Sequence, residues 1–221
     1  MKALYVVLAV LTMLSFSKTA TAQKSIGVMG GIIKPNILIG NKSDSRNYDE
    51  ETFWKAQFGA QLFVKKGNKR RLLSLQYLSR SYHLSSYNLQ SFKDWHVDMK
   101  HFQIKYKIGR YLFNGKNFYI DFGALLGLPL ERKVAYEQEE IRTIEGGGLA
   151  VFRLTIENQK EFIAPFDLGV LSNLGFEINL TNTMRFFTEI GIDLTFNGSQ
   201  DVNRFLFSQG ASLGVFYQLN D

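Results

Sequence analysis

The stretch Phe186-Phe187-Thr188-Glu189-Ile190-Gly191-Ile192-Asp193-Leu194-Thr195-Phe196 decides the fold class of this chain. From Ile190 to Phe196 every second residue is apolar, and the positions between them hold small, hydroxylated or acidic residues. Because successive side chains of a β-strand point to opposite faces, this period of two predicts a strand with one apolar and one polar face. Its length of about ten residues is typical of a strand that crosses a membrane.

The same alternation recurs along the rest of the chain. It is clearest over residues 54–64, 102–112, 118–128 and 207–219, and weaker over 25–39, 72–84 and 166–178. Together with the first stretch these segments make eight strands, and an even number lets the first and last strands pair antiparallel and close the sheet. We therefore predict an all-β fold, a single antiparallel up-and-down transmembrane β-barrel of about eight strands.

The predicted connections alternate between short and long. Turns are expected over 66–71, with Gly67-Asn68, over 114–117, with Asn114-Gly115, and over 180–183, whereas the links 40–52, 85–100 and 131–164 are long and 197–204 is intermediate. Within 131–164, the alternation of Ala150, Phe152, Leu154 and Ile156 predicts that part of the link extends the fifth and sixth strands. Outer-membrane barrels have short periplasmic turns and longer extracellular loops. The pattern therefore predicts that both termini lie on the periplasmic side.

The first residues are typical of an export signal. Lys2 precedes an apolar run from Ala3 to Leu14, and the segment ends in Ala20-Thr21-Ala22. A run of about a dozen residues is too short for a spanning helix, which needs about 20. We predict cleavage between Ala22 and Gln23, which gives a signal peptide over 1–22 and one barrel domain over 23–221. The alternative is an uncleaved N-terminal anchor.

The composition restricts the chemistry and the partners. The chain has no cysteine, so it has neither disulfides nor a thiol for lipid attachment. The formal net charge is +6, of which Lys2 and Lys18 would leave with the signal. The remaining charge is too small and too interspersed with acids to indicate nucleic-acid binding. Aromatic residues make up 14 % of the chain, with only 3 prolines, which favours strands in a membrane barrel or in a soluble sandwich.

The polar face of each strand is expected to lie inside the barrel. Lipid accepts apolar side chains on the outside, and an unpaired charge enclosed on the inside would be costly. Both signs occur on the polar face, which predicts an internal ion-pair network, and eight strands leave room for side chains and no channel. The predicted interior network comprises Lys55, Arg80, Lys105, Lys107, Asp121, Asp167, Glu177, Arg185, Glu189 and Asp193.

Aromatic residues near the strand ends predict two girdles at the membrane boundaries. The periplasmic girdle would comprise Tyr111, Phe113, Phe118, Tyr119, Phe186, Phe187, Phe216 and Tyr217. The outer girdle would comprise Phe53, Trp54, Tyr82, Trp95, Phe162, Phe166, Phe196 and Phe205. The alternative explanation is the general preference of aromatic residues for strands.

Five short segments carry a family resemblance. They are Ile26-Gly27-Val28-Met29-Gly30-Gly31, Leu75-Gln76-Tyr77-Leu78-Ser79-Arg80, Phe102-Gln103-Ile104-Lys105-Tyr106-Lys107, Phe166-Asp167-Leu168-Gly169 with Leu174-Gly175-Phe176-Glu177, and Ser212-Leu213-Gly214-Val215-Phe216-Tyr217. They resemble strands of the PorT-like family of Bacteroidetes outer-membrane β-barrel proteins, a small OmpA-like barrel domain, although Lys105 stands where that family usually has proline. The resemblance covers the whole mature chain and implies an outer-membrane barrel, and one member of the family is linked to type IX secretion.

Two clusters were considered as sites of chemistry. Asp94, His96, Asp98 and His101 carry metal-ligating side chains, but their spacing matches no closed metal site, so we expect no metal. Ser81 with His83, and Ser85 or Ser86 nearby, match the serine and histidine that a lipid-modifying enzyme at the barrel rim needs, but no acid is fixed as a third member. We therefore expect no catalytic residue and no cofactor.

These observations favour a non-enzymatic, monomeric integral barrel in the outer membrane of a Gram-negative cell. Its role would be structural, adhesive or accessory to an envelope complex, a secretion complex included. The expected partners are membrane lipid and, through the link 131–164, envelope proteins. The alternatives are a soluble periplasmic lipocalin-like barrel, with its apolar face turned inward around an apolar ligand, and the rim-sited enzyme.

Overall fold

The computed structural model describes residues 22–39, 47–87, 91–113, 117–143, 149–157, 166–198 and 203–219. Regular structure in these ranges consists of ten strand segments: β1 Gln23–Ile39, β2 Asn47–Thr52, β3 Lys55–Lys66, β4 Lys69–Tyr87, β5 Ser91–Tyr111, β6 Phe118–Thr143, β7 Leu149–Glu157, β8 Asp167–Asn179, β9 Met184–Gly198 and β10 Asn203–Leu219. The described residues include no helix long and apolar enough to span a membrane.

Eight of the segments form a closed barrel. Each pairs antiparallel with the next in the order β1, β3, β4, β5, β6, β8, β9 and β10, and β10 pairs back with β1. This closing seam runs without interruption from Lys24 opposite Leu219 to Ile39 opposite Arg204. The predicted all-β class and closed antiparallel barrel of eight strands are confirmed.

The other two segments enlarge one end of the barrel. β2 pairs with the upper part of β4, after a break at Phe53 and Trp54 that separates it from β3, and β7 pairs with the upper part of β6. Because β4, β5 and β6 all continue past the barrel, they join β2 and β7 in a five-stranded sheet. We call this sheet the wall; it comprises residues 47–52, 79–87, 91–100, 131–143 and 149–157. The opposite end, with the turns at Gly67 and 180–183, is the turn end.

The wall corrects the predicted long links. Residues 40–52, 85–100 and most of 131–164 were expected to be loops, but 47–52, 85–87, 91–100 and 131–143 lie in strands, and so does 149–157, where the alternation of Ala150, Phe152, Leu154 and Ile156 predicted an extension of the neighbouring strands. Both faces of 91–100 and of 131–143 carry charged residues, such as Lys133 and Glu137 on one face of β6 and Glu140 and Arg142 on the other. A sheet without an apolar stripe gives no period-two signal, which is why the sequence pattern indicated loops.

The barrel is apolar on the outside and charged on the inside. Val170, Ile190 and Leu213 are 59 %, 60 % and 57 % exposed, whereas Glu189 and Asp193 on the other face are buried. The predicted signal peptide lies outside the described residues except for Ala22, which precedes β1, and Gln23 begins that strand. The cleavage site stays a prediction.

Candidate functional site

The interior of the barrel holds five basic and five acidic buried side chains among the described residues. They are Arg70, Arg80, Lys105, Lys107, Arg185, Asp121, Asp167, Glu177, Glu189 and Asp193. Every one of them has an opposite charge between 2.8 and 3.3 Å away. Because the two signs are equal in number and every member is paired, these ten side chains leave no uncompensated charge; a buried histidine could add one only if it is protonated. Such pairing is required because an unpaired charge in a low-dielectric interior is costly.

Nine of these ten residues belong to the interior network proposed from the sequence. The tenth predicted member, Lys55, is only half-buried at the start of β3, on the same face as Gln57. Arg70 takes its place, although the sequence pattern assigned it to a turn. The phase of β4 contained the necessary signal, because Arg70 continues the inward series that runs through Leu72 and Ser74.

At the turn end the network is organised around Arg70 and Glu177. Arg70 Nε lies 2.9 Å from Asp121 Oδ1, and its Nη1 lies 3.2 Å from Glu177 Oε2. Glu177 also accepts hydrogen bonds from Arg185 and from the hydroxyl of Tyr111. These contacts join β4, β5, β6, β8 and β9 across the lumen, so four charges are held in one cross-linked layer.

Buried aromatic rings pack around this layer. Phe63, Tyr111, Tyr119, Phe187 and Phe216 form one cluster, together with Met29 and Leu72. The Arg70 guanidinium lies over the Tyr119 ring, 3.3 Å from its centroid, and the Arg185 guanidinium lies 4.7 Å from the centroid of Phe63. A planar cation can stack on aromatic faces while its edge pairs with carboxylates, so Arg is suited to this position.

Part of this cluster corrects the predicted periplasmic girdle. Tyr111, Tyr119, Phe187 and Phe216 point inward and are no more than 3 % exposed. Tyr82 of the predicted outer girdle is likewise buried inside. The outward-facing members are Phe113, Phe118, Phe186 and Tyr217 at the turn end and Phe53, Trp54, Phe166 and Phe196 at the other, with Phe186 half-buried. Phe162 and the side chains of Trp95 and Phe205 lie outside the described residues.

Three inward glycines give the rings their space. Tyr119 lies opposite Gly175, Phe187 opposite Gly214 and Phe216 opposite Gly27. A Cβ added at Gly175 would lie 2.1 Å from Tyr119 Cζ, and one at Gly27 would lie 2.5 Å from Phe216. The rings therefore lie across the neighbouring strand, where only a hydrogen atom fits beneath them.

The middle of the interior is polar and nearly full. Lys105 pairs with Asp193 at 2.8 Å, and Lys107 pairs with Glu189 at 2.9 Å. The cavity beside them, which Gln57 and Gln76 also line, has a water-accessible volume of about 20 Å³. That volume holds about one water molecule. The side-chain oxygens of Gln57 and Gln76 have no protein partner, which marks them as acceptors for such a water.

The wall end of the interior contains a third charged layer. Arg80 Nη1 and His101 Nε2 lie 3.3 and 3.0 Å from Asp167 Oδ2, and all three side chains are fully buried. His101 was grouped by its spacing with the possible metal ligands Asp94, His96 and Asp98. β5 continues in the same phase, so His101 lies inside with Lys105, whereas the other three face outward. No group of three or more possible ligands that could hold a metal occurs among the described residues.

The residues considered for a rim enzyme lie on the outward face of the wall. His83 Nε2 is 2.5 Å from Asp94 Oδ1, a contact across β4 and β5 that the sequence spacing did not indicate. Ser81, however, is only 3 % exposed, and the amide of Phe53 bonds to its carbonyl. A covered hydroxyl cannot attack a lipid ester, so Ser81 is not suited to act as a nucleophile in this arrangement.

The outer part of the wall is held by ion pairs and carries exposed apolar residues. Arg153 Nε donates to Glu139 at 2.7 Å and Arg142 Nε donates to Glu140 at 2.9 Å. The hydrogen bond from Arg142 lowers the pKa of Glu140 below its ordinary value. Beside these pairs several large apolar side chains are 45 to 74 % exposed: Ile141, Leu149, Val151, Phe152 and Leu154.

The fold and the filled interior define a small closed β-barrel with eight strands. No family model matches the chain, and no curated protein matches it. Solved structures that match are the outer membrane protein OprG from Pseudomonas aeruginosa (13 % identity, 89 % of this chain and 96 % of that chain, TM-score 0.45) and Ail, the attachment invasion locus protein of Yersinia pestis (10 % identity, 90 % and 99 %, TM-score 0.42). Neisserial surface protein A matches with 13 % identity over 90 % and 99 % of the chains and a TM-score of 0.39.

These similarities concern the fold alone and carry no information on activity. None of the comparisons identifies the PorT-like family, so that resemblance stays an expectation.

Proposed function

We propose that the chain is an exported integral outer-membrane protein, a monomeric and non-enzymatic barrel with a filled interior. Its wall displays a binding surface outside the membrane, in a structural, adhesive or accessory role at the cell envelope. The observation that carries the proposal is the reversed distribution of polarity, with ion pairs inside and a continuous apolar surface outside.

The apolar surface has the dimensions of a membrane. Its exposed members on the barrel include Ile26, Val28, Phe58, Ile108, Phe122, Leu168, Val170, Ile178, Ile190 and Leu213. From Leu168 to Ile178 the rise is about 33 Å along the strand, which becomes about 25 Å along the barrel axis at a tilt of about 40°. A band of about 25 Å is typical of outer-membrane barrels. A lipocalin-like barrel would place these side chains inside and the charges outside.

The interior supports a barrel that does not conduct. A channel needs a continuous aqueous path, whereas three layers of paired charges and an aromatic cluster fill the described interior. Each pair would have to be broken to open a path, and breaking a buried pair costs several kcal/mol. The barrel therefore serves as an anchor for the wall.

The edge of β7 is the best candidate for protein contact. Among the described residues no strand pairs with its second edge. Such an edge presents a row of unpaired backbone N–H and C=O groups.

The exposed apolar residues of the wall lie too far from the membrane for lipid to cover them. Ile141 is eleven residues beyond Leu130 on β6, about 35 Å along the strand. An open strand edge with apolar residues on both faces can accept an extended segment of another protein. This supports a role for the wall in binding envelope or surface proteins.

A charge at the middle of the apolar band tests the membrane location. Ile190 is 60 % exposed, so Ile190→Arg disturbs no internal packing. We expect it to lower the free energy of unfolding in lipid vesicles by about 2 to 4 kcal/mol, because arginine is costly at the bilayer midplane. The measurement is urea unfolding in vesicles, followed by heat-dependent gel mobility. Ala135→Arg, on the exposed face of the wall, is the control. Equal stability of the two variants would contradict a membrane-spanning barrel.

A photoreactive residue at position 151 tests the binding role of the wall. Val151 is 65 % exposed on the open-edge strand, so a cross-linker there reaches whatever lies beside β7 in intact cells. We expect a discrete protein adduct at this position and none at position 122, since Phe122 faces the lipid. Adducts of equal yield at both positions, or none at either, would count against protein contact through β7.

A further inference from the structure

A row of exposed basic residues lies at the turn end of the barrel. Lys66 at the end of β3 is directly opposite Lys69 at the start of β4, and Lys69 is directly opposite Arg110 on β5. All three are exposed and lie in the outward phase of their strands. We call them the basic row. Two further exposed cations, Arg71 and Lys24, lie close to it on β4 and β1.

The arrangement is unfavourable for the barrel by itself. Directly opposed residues in a sheet have Cβ atoms about 5 Å apart, and like charges at that spacing repel each other. Among the described residues no carboxylate is recorded in contact with Lys66, Lys69 or Arg110, which contrasts with the complete pairing inside the barrel. Three neighbouring cations without an acid form a surface complementary to an anion.

The position of the basic row along the barrel axis indicates which kind of anion it can bind. Arg71, two residues along β4 from Lys69, lies opposite Ile108, and Ile108 is 52 % exposed in the apolar band. The basic row is thus the next layer beyond the end of that band. In the membrane orientation on which this inference depends, that layer is where lipid headgroups of the periplasmic leaflet lie.

The row is also confined to one side of the barrel. Lys24 on β1, the strand next to β3, is also cationic, but the described outward residues at the turn end of the remaining strands are uncharged, among them Phe118 on β6, Ile178 on β8, Met184 on β9 and Leu219 on β10. A general need for charge at the membrane boundary would distribute cations around the whole circumference. Their concentration on β3, β4 and β5 favours a localised site.

We propose that Lys66, Lys69 and Arg110 form a binding site for the phosphate of an anionic phospholipid headgroup in the periplasmic leaflet. The Lys ammonium groups supply point charges, and the Arg guanidinium supplies a planar pair of donors to phosphate oxygens. Each basic residue near a lipid surface contributes about a fivefold preference for anionic lipid. Bound lipid would also relieve the repulsion along the row.

The test compares lipid retained by the barrel after extraction from nanodiscs of phosphatidylcholine mixed with phosphatidylglycerol. Native mass spectrometry counts the lipids of each kind on the folded protein. We expect the wild type to be enriched in phosphatidylglycerol, and Lys66→Gln/Lys69→Gln/Arg110→Gln to lose this enrichment by about tenfold or more. Lys66→Arg/Lys69→Arg keeps the charges and should keep the enrichment.

A second triple variant controls for net charge. Lys133→Gln/Arg142→Gln/Arg153→Gln removes the same number of charges from the wall and should leave the enrichment unchanged. Equal lipid ratios in the wild type and the basic-row variant, or an equal loss in the wall variant, would overturn the proposal. Release of the lipid by inorganic phosphate at matched concentration would also overturn it, since the row would then be a site for the free ion. Heat-dependent gel mobility in phosphatidylcholine alone reports separately whether each variant is an inserted barrel.

Discussion

Arg70→Ala is expected to lower the free energy of unfolding of the barrel by about 3 to 5 kcal/mol, the cost of removing one partner from a buried ion pair. Arg70 pairs with Asp121 and Glu177 and lies on the Tyr119 ring, with 1 % of its surface exposed. Glu177 would keep Arg185, but Asp121 would lose the guanidinium with which it pairs. Urea unfolding in lipid vesicles measures the change.

The neighbouring arginine is a matched control. Arg71 is exposed on the outer face, so Arg71→Ala should change stability by about 1 kcal/mol or less. The double variant Arg70→Ala/Asp121→Ala should recover part of the loss, because it removes the acid left without a partner. If Arg70→Ala behaves like Arg71→Ala, Arg70 does not have the central role in the turn-end layer that its contacts indicate.

Gly175→Ala is expected to lower the free energy of unfolding by about 2 to 3 kcal/mol, a typical destabilisation when an extra group is forced into a packed core. The added methyl group would lie 2.1 Å from Tyr119 Cζ, so the ring has to leave its place over β8 and its stack with Arg70. The strand cannot yield instead, since β8 is paired with β6 on one side and β9 on the other. The same unfolding measurement applies.

Gly30→Ala serves as the control for any general effect of a methyl group in a strand. A Cβ at Gly30 has no neighbour closer than 4.0 Å, so this variant should be within about 0.5 kcal/mol of the wild type. Combining Gly175→Ala with Tyr119→Leu removes the clashing ring atoms. The double variant should therefore lose less free energy of unfolding than the sum of the losses in the two single variants. Strict additivity would mean that the ring and the glycine do not share their space.

The sequence predicted the barrel well because one physical constraint acts on every strand. In the proposed membrane location, a closed sheet between lipid and an ionic interior forces polarity to alternate along each strand, as Glu189 and Asp193 alternate with apolar residues on β9. The same alternation also gives the direction of side chains that were assigned to a girdle or to a turn. Tyr119 is in phase with Asp121, and Arg70 is in phase with Leu72, so the inward direction of both was available from counting residues.

The alternation of polarity could not predict the wall or the individual ion pairs. Residues 131–143 carry charged side chains in both phases of the strand, so nothing in their pattern separates a strand from a loop. The pairing of Arg80 with Asp167, or Lys105 with Asp193, depends on how far the strands are staggered across the lumen. A period of two gives the face of a side chain but not its height, so partners cannot be assigned from it.

The seam between β1 and β10 sets a condition on how the molecule is made. Among the barrel strands Gln23–Ile39 is synthesised first and Asn203–Leu219 last, yet each supplies the hydrogen-bonding edge that the other needs. Until β10 has been synthesised, the first strand has only one of its two neighbours, and its unpaired backbone groups would be costly in a bilayer. In the proposed membrane location, insertion therefore has to wait until all eight barrel strands have been synthesised, and their apolar segments need protection from aggregation until then.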